Sequence, residues 1–349
     1  QMAEYLFADS VRLRVRGDQR VVRHFDAEYG RVEVPSAAGT GRPGTPVAPE
    51  PDVDVHVGWG FRVDREAEDE VVTGGHKTAR WQVALGPPGA SPVRARIALA
   101  GGPPSFGLSL VQGYFVEALV GVALARGGKV ALPGAAFAIE DGVTVLLGRS
   151  GAGKTTLTAR ALAAGQAVLS DDQVILDGDG RAQRYPRRLR FYPDIRETAP
   201  TAWTRLAPRT RSALRRREQL RRLTRGYVAP SLAVPVTELG GTVEPRPLPV
   251  RRIVVVDRSA GAELTETARE TAWVAGQAGR LLADQRARLS AHLLGGAWAD
   301  ALDAALRAEG DTVASALAGV PAGQIVVPSA WGARRSVDAL EARLGLVRG

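Results

Sequence analysis

The chain has 349 residues, enough for one large or two ordinary domains with full cores. It has no cysteine, which excludes disulfides, thiolate metal sites and thiol nucleophiles together. The net charge of +9 is carried by arginine, since Lys77, Lys129 and Lys154 are the only lysines; with abundant Ala, Gly and Pro this fits GC-rich codon usage, so charge alone names no anionic partner. The four histidines, His24, His56, His76 and His292, are scattered without metal-ligand spacing. Gln1 stands before Met2, where the native chain is expected to begin, and no charged-then-apolar leader follows. A cytoplasmic protein is the expectation.

Residues 4 to about 100 read as strands and turns. Ser10 to Arg16 and Val53 to Val57 alternate apolar and polar, the period of a half-buried strand. Arg20 to Tyr29 fits a short helix, Gly39 to Pro51 a Gly/Pro-rich loop, and Arg65 to Glu70 a solvated acidic turn. Trp81 to Leu85 and Val93 to Leu99 are further strands. These elements predict a β-rich N-terminal domain over 2–100, without a catalytic constellation, that supports or positions a substrate.

Gly101 to Ser105 punctuates the chain, and a second domain is predicted over 102–349. It opens with an apolar helix, Phe106 to Arg126, ended by Gly127 and Gly128. Gln112, Gly113 and Glu117 interrupt its most apolar stretch, so a buried helix is expected and no membrane partner. Lys129 to Leu132 and Ala135 to Ile139 lead through Glu140-Asp-Gly142 to a buried strand, Val143 to Leu147. Then comes Gly148-Arg149-Ser150-Gly151-Ala152-Gly153-Lys154-Thr155-Thr156, which contains the Walker A pattern Gly-x-x-x-x-Gly-Lys-Thr. Lys154 to Ala164 reads as the helix that should follow, stopped by Gly165. Strand, glycine loop and helix N-terminus together can turn backbone N–H groups and a positive dipole end toward phosphate. Residues 148–156 are therefore the predicted nucleotide-binding segment, with Lys154 on the β- and γ-phosphates and Thr155 on Mg²⁺.

A helix of about eleven residues spans roughly 16 Å, the length of a five-residue strand. The chain can thus return in Ala167 to Ser170, predicted to run parallel to the first strand by a right-handed crossover. That brings Asp171 and Asp172 to the phosphate edge, where a metal ligand and a base are wanted. Asp177-Gly-Asp-Gly180 is a hairpin turn, and Arg187-Arg-Leu-Arg-Phe-Tyr-Pro-Asp194 follows it. Arg205 to Arg225 carries nine arginines. It reads either as a solvated basic segment or as a surface for an anionic partner such as an acidic peptide. No aromatic residues interleave, so specific nucleic-acid binding is not expected. Arg251 to Asp257 and Gly323 to Pro328 read as buried strands; Leu264 to Leu282, Leu289 to Leu317 and Ser336 to Leu344 read as helices. Trp273, Trp298 and Trp331 fit core packing.

The loop is shared by many nucleotide proteins, and two readings fall away. A transporter-type ATPase needs a Leu-Ser-Gly-Gly-Gln signature, for which Leu293-Leu-Gly-Gly-Ala297 is no substitute. A GTPase needs Asn-Lys-x-Asp, but Lys154 is the last lysine. Gly148 to Thr155 followed closely by Leu169-Ser-Asp-Asp172 instead resembles the catalytic domain of HPr kinase/phosphorylase and its relatives. The helix Phe106 to Arg126, Leu189 to Asp194 and the strand from Pro247 extend the resemblance over roughly residues 102–330. It implies an α/β fold: a P-loop nucleotide domain of the HPr-kinase/PEP-carboxykinase type, with a mixed sheet and flanking helices. It also implies transfer of the γ-phosphoryl group of ATP, with Mg²⁺, to a hydroxyl on a peptide, a protein or a small molecule. Asp171 would be the base, Asp172 would share the metal with Thr155, and Arg190 would contact phosphate. Where the family has Leu-His before the loop strand, this chain has Leu132-Pro133. The alternative is an ATP-binding protein without catalysis, and a homo-oligomer is left open.

Overall fold

The computed structural model describes residues 1–29, 50–224, 231–291 and 296–346. Most of the expected loop at 39–51, Arg225, His292 and part of 293–297 lie outside the described residues. The chain is α/β, with mixed sheets and flanking helices, and divides into two compact units. One comprises Gln1–Gly127 with Gln285–Ala305, the other Gly128–Asp284 with Leu306–Gly349. The division thus falls after the apolar helix, not near residue 102, and the first unit takes a segment from late in the chain.

The first unit holds β1 (Met2–Phe7), β2 (Val11–Arg16), β3 (Val53–Trp59), β4 (Glu70–His76), β5 (Ala79–Leu85) and β6 (Val93–Ala100) in the order β1-β2-β3-β6-β5-β4. Alternation builds it: Val11, Leu13 and Val15 of β2 and Val53, Val55 and Val57 of β3 are buried. Strands β1 and β4 go beyond the sequence reading. In β1 the apolar pattern is broken by Glu4, which is buried yet paired with Arg12 and Arg14 of the neighbouring strand. The acidic turn is only partly solvated, because Glu66 and Asp69 both grip Arg96. Helix α1 (Gln19–Glu28) starts on the Asp18 carboxylate, which accepts from the Arg20 and Val21 N–H groups.

The apolar helix is α2 (Pro104–Val111), a π turn (Gln112–Val116) and α3 (Glu117–Arg126). Its polar interruptions are used inside the unit. Gln112 Nε2 donates to Tyr29 Oη at 3.1 Å and to Glu117 Oε1 at 3.0 Å, and the Tyr29 hydroxyl donates to the same Glu117 oxygen at 2.9 Å. Among the described residues this is the one helix long and apolar enough to cross a bilayer, but 72% of its most apolar window is buried in the protein.

The second unit is built on β7 (Lys129–Ile139), β8 (Gly142–Gly148), β9 (Val168–Ser170), β10 (Gln173–Asp177), β11 (Arg181–Arg184), β14 (Leu248–Ser259), β15 (Thr265–Ala268) and β16 (Ala322–Pro328), with β12 (Arg190–Phe191) and β13 (Leu232–Ala233) as a separate pair. The order is β11-β10-β7-β8-β14-β16-β15, and β9 pairs with β7. Strands β8, β14 and β16 are parallel, whereas β7 is antiparallel to β8, β9 and β10. Helices α4 (Lys154–Ala163), α5 (Ile195–Thr198), α6 (Pro200–Arg205), α7 (Pro208–Leu223) and α10 (Ala333–Leu344) belong to this unit, as do the first part of α8 (Thr271–Ser290) and the last part of α9 (Ala297–Ala316).

Every residue of β8 is buried, because both faces of its sheet are covered. Leu146, Val254 and Val256 pack with Leu157 of α4 and Leu340 of α10. Val145, Leu147 and Val255 face the other way, onto Val274 and Leu282 of α8. The expected helix from Leu264 begins late: residues 265–268 form edge strand β15 on β16, and α8 starts at Thr271. All four residues of β15 are exposed, so no apolar pattern announced it. The basic run is helix α7, with only Thr210 and Leu214 buried. Trp298 is fully buried, its indole N–H donating to the Gly86 carbonyl, while Trp273 and Trp331 are half-buried under Arg269 and Arg335.

Candidate functional site

Gly148 ends β8 and Lys154 begins α4, so the glycine loop joins a strand in mid-sheet to a helix N-terminus. A Cβ on Gly148 would stand 3.0 Å from Ala152 Cβ and 3.1 Å from the Val256 carbonyl oxygen. Gly151 and Gly153 have φ of +85° and +91°, the left-handed region that favours glycine. Ala152 N–H donates to the Arg149 carbonyl at 3.2 Å, but among the described residues the N–H groups of Ser150, Gly151 and Gly153 donate to no backbone carbonyl. Arg149 and Ser150 are exposed, Thr155 is half-buried and Thr156 buried. The Arg149 guanidinium meets Asp284 at 3.0 Å.

Lys154 is buried, its ammonium donating to the carbonyls of Gly148 at 2.5 Å and Arg149 at 3.1 Å. Burial lowers its pKa, and the nearby charges of Asp172 and Asp171 oppose that fall. The acidic pair reaches the same edge by a route the sequence reading did not foresee. Strand β9 does not lie beside β8; β7 runs between them, antiparallel to both, so β8 and β9 still point the same way. Gly134 of β7 is the hinge of this arrangement: it stands opposite Leu147 of β8, and its N–H donates to the Asp172 carbonyl at 2.9 Å.

The two carboxylates differ. Asp171 is buried, 6% exposed. Burial, followed by the charge of Asp172, pushes its pKa up to about 7, against the pull of Arg187 and a hydrogen bond from the Arg190 N–H. Asp172 is exposed and meets Arg187 Nη1 at 3.1 Å. Arg187 was missed as a site residue: it stands in an arginine run where spacing does not say which guanidinium turns inward. Arg190 donates its backbone N–H to Asp171, but its guanidinium goes to Ser231, Nε to Oγ at 3.2 Å. The guanidinium that meets Asp172 is that of Arg187.

Pro133 lies on β7 opposite Gln173 and next to Gly134. The Gly134 N–H to Asp172 bond makes the adjacent Pro133–Gln173 pair the non-hydrogen-bonded kind, so the missing proline N–H removes no rung from this ladder. Pro133 thus lies one residue from the Gly134 that bonds the acidic edge. Among the described residues no group of three or more His, Asp or Glu could hold a metal alone. A hydroxyl such as that of Thr155 and a carboxylate such as that of Asp172 are oxygen donors of the kind Mg²⁺ takes alongside waters and phosphate oxygens. The glycine cradle, its uncommitted N–H groups and the lysine suit a polyphosphate. No family model matches the chain, and no curated protein matches it.

Proposed function

We propose that this chain is an ATP-dependent phosphotransferase acting on an alcohol. The observation that carries the reading is Asp171, a buried carboxyl brought to near-neutral pKa within charge range of the glycine-loop lysine. In this reading the loop N–H groups and Lys154 bind the phosphates of ATP. Thr155 and Asp172 would hold Mg²⁺, which supplies charge neutralisation at the phosphate oxygens. The acceptor oxygen bonds to the γ-phosphorus as the bond to the β–γ bridging oxygen breaks, and its proton passes to the Asp171 carboxylate. ADP and a phosphate ester are the products. Arg187 orients Asp172 and, by its positive charge, favours ionised Asp171. The acceptor is a serine or threonine of a peptide or protein, or a small alcohol, and use of ATP goes with a cytoplasmic setting.

One observation favours a second reading, an ATP-binding protein without catalysis: Pro133 stands where the resembled family places histidine. Labelled ATP and Mg²⁺ with a panel of peptides and hydroxylated metabolites separates the two. Transfer predicts a product heavier by one phosphate that vanishes in Asp171→Asn while ATP binding persists. Binding of ATP without any phosphorylated product would leave the second reading standing.

A further inference from the structure

Beside the acidic pair lies a cavity of about 330 Å³ whose lining includes Leu169, Leu189 and Val234 together with Arg184, Arg187 and Arg188. It is formed wholly within the second unit. Arg187 belongs to both places, lining the cavity while its Nη1 meets Asp172. Arg184 pairs across the β10–β11 ladder with Val174, two residues beyond Asp172. Leu169, two residues before Asp171, and the shared Arg187 therefore put the cavity next to the carboxylates.

The chemistry of the lining is uneven in an informative way. Leu169, Leu189 and Val234 are buried and give an apolar wall. Among the described residues, neither the Arg184 nor the Arg188 guanidinium has a hydrogen bond or ion pair within the protein. Arg184 is half-buried, and burial holds its pKa below the ordinary arginine value, the mark of a guanidinium without a counter-charge. A desolvated guanidinium beside a second cation is costly unless an anion completes it, and its planar fork fits an oxyanion in two-point fashion. The volume is at the lower end of those that enclose small ligands.

We infer that this cavity is the acceptor pocket, and that the acceptor is a molecule or side chain carrying an oxyanion, carboxylate or phosphate, next to an apolar group. The inference rests on the kinase reading for the word acceptor, but the anion pocket itself can be tested apart from it. Phenyl phosphate, benzoate and benzyl alcohol serve as probes by calorimetric titration of the full chain. The expected result is binding of at least one of the two anions, with benzyl alcohol about tenfold weaker or worse. Arg184→Gln/Arg188→Gln should weaken the bound anion about tenfold, whereas Lys154→Ala should leave it bound, separating the cavity from the glycine loop. The paired variant Arg184→Lys/Arg188→Lys, which keeps charge and fold, should restore part of the affinity. The ratio of phenyl phosphate to benzoate tells which oxyanion the pocket takes. Equal binding of the neutral alcohol, no binding of either anion, or loss only in Lys154→Ala would overturn the assignment. So would a glutamine pair that lowers ATP affinity instead, for the cavity would then belong to the nucleotide. If ATP fails to bind the wild-type chain while the arginine-dependent anion site remains, the kinase reading falls and the oxyanion pocket stands.

Discussion

Two buried carboxylates, one in each compact unit, live in opposite company. Glu4 in the first unit is 3% exposed, and its two oxygens face Arg12 at 2.9 Å and Arg14 at 2.7 Å. Asp171 in the second is 6% exposed, yet the neighbouring charge that acts on it most strongly is another carboxylate. The first charge is answered by two guanidinium groups and holds strands β1 and β2 in register. The second is held at the edge of ionisation. A buried charge whose partners satisfy it is structural; one whose neighbours contest it can exchange a proton near neutral pH.

The largest effect expected from this contrast is on turnover. Asp171→Asn should lower phosphoryl transfer by about 10³-fold, within the range for loss of a general base, with ATP affinity unchanged by titration. In the wild type, activity should rise with pH on an apparent pKa near 7, as the base ionises. Stability should move the other way. Asp171 has a folded pKa of about 7 against an ordinary value of 3.8, so its contribution is fully present below about pH 4 and is lost as pH rises through 7. Urea unfolding should therefore show the wild type losing a few kcal/mol relative to Asp171→Asn across that interval. A flat difference would mean the carboxyl is not held protonated.

Glu4→Ala should act only on the fold, destabilising the chain by about 3 kcal/mol in chemical denaturation, because it leaves two arginines facing each other. Its effect on KM and kcat at a temperature where the variant is folded should be nil. Arg187→Gln is expected to cost about tenfold in kcat and to move the activity pKa upward, since the cation that opposes protonation of Asp171 is gone. The smallest effect belongs to α7. Replacing Arg215, Arg216 and Arg217 with Ala should raise the acceptor KM a few-fold at low salt and less at high salt, as screened surface charge does. An unchanged KM would make α7 a solvated face only.

Much of the second unit was legible locally. The backbone of the glycine loop could be read because it rests on contiguous residues: the left-handed φ at Gly151 and Gly153 and the crowding at Gly148 are local demands. The hairpin at Asp177 could be read for the same reason, its carboxylate accepting from the Asp179 and Arg181 N–H groups. Strand β1 was hidden because Glu4 interrupts its pattern and is answered only by residues of the next strand. Arg187 was not legible as a site residue because rotamer direction within an arginine run depends on packing, not on spacing.

By itself the sequence determined the loop, the helix after it and the adjacency of Asp171 to Asp172, since each is a matter of neighbouring residues and backbone freedom. Tertiary structure alone decided that β7 runs between β8 and β9, that the Arg187 guanidinium meets Asp172, and that Asp171 sits near neutrality. Those depend on strand partners distant in the chain and on burial, and a carboxyl's pKa is set by the dielectric and charges around it rather than by its place in a motif.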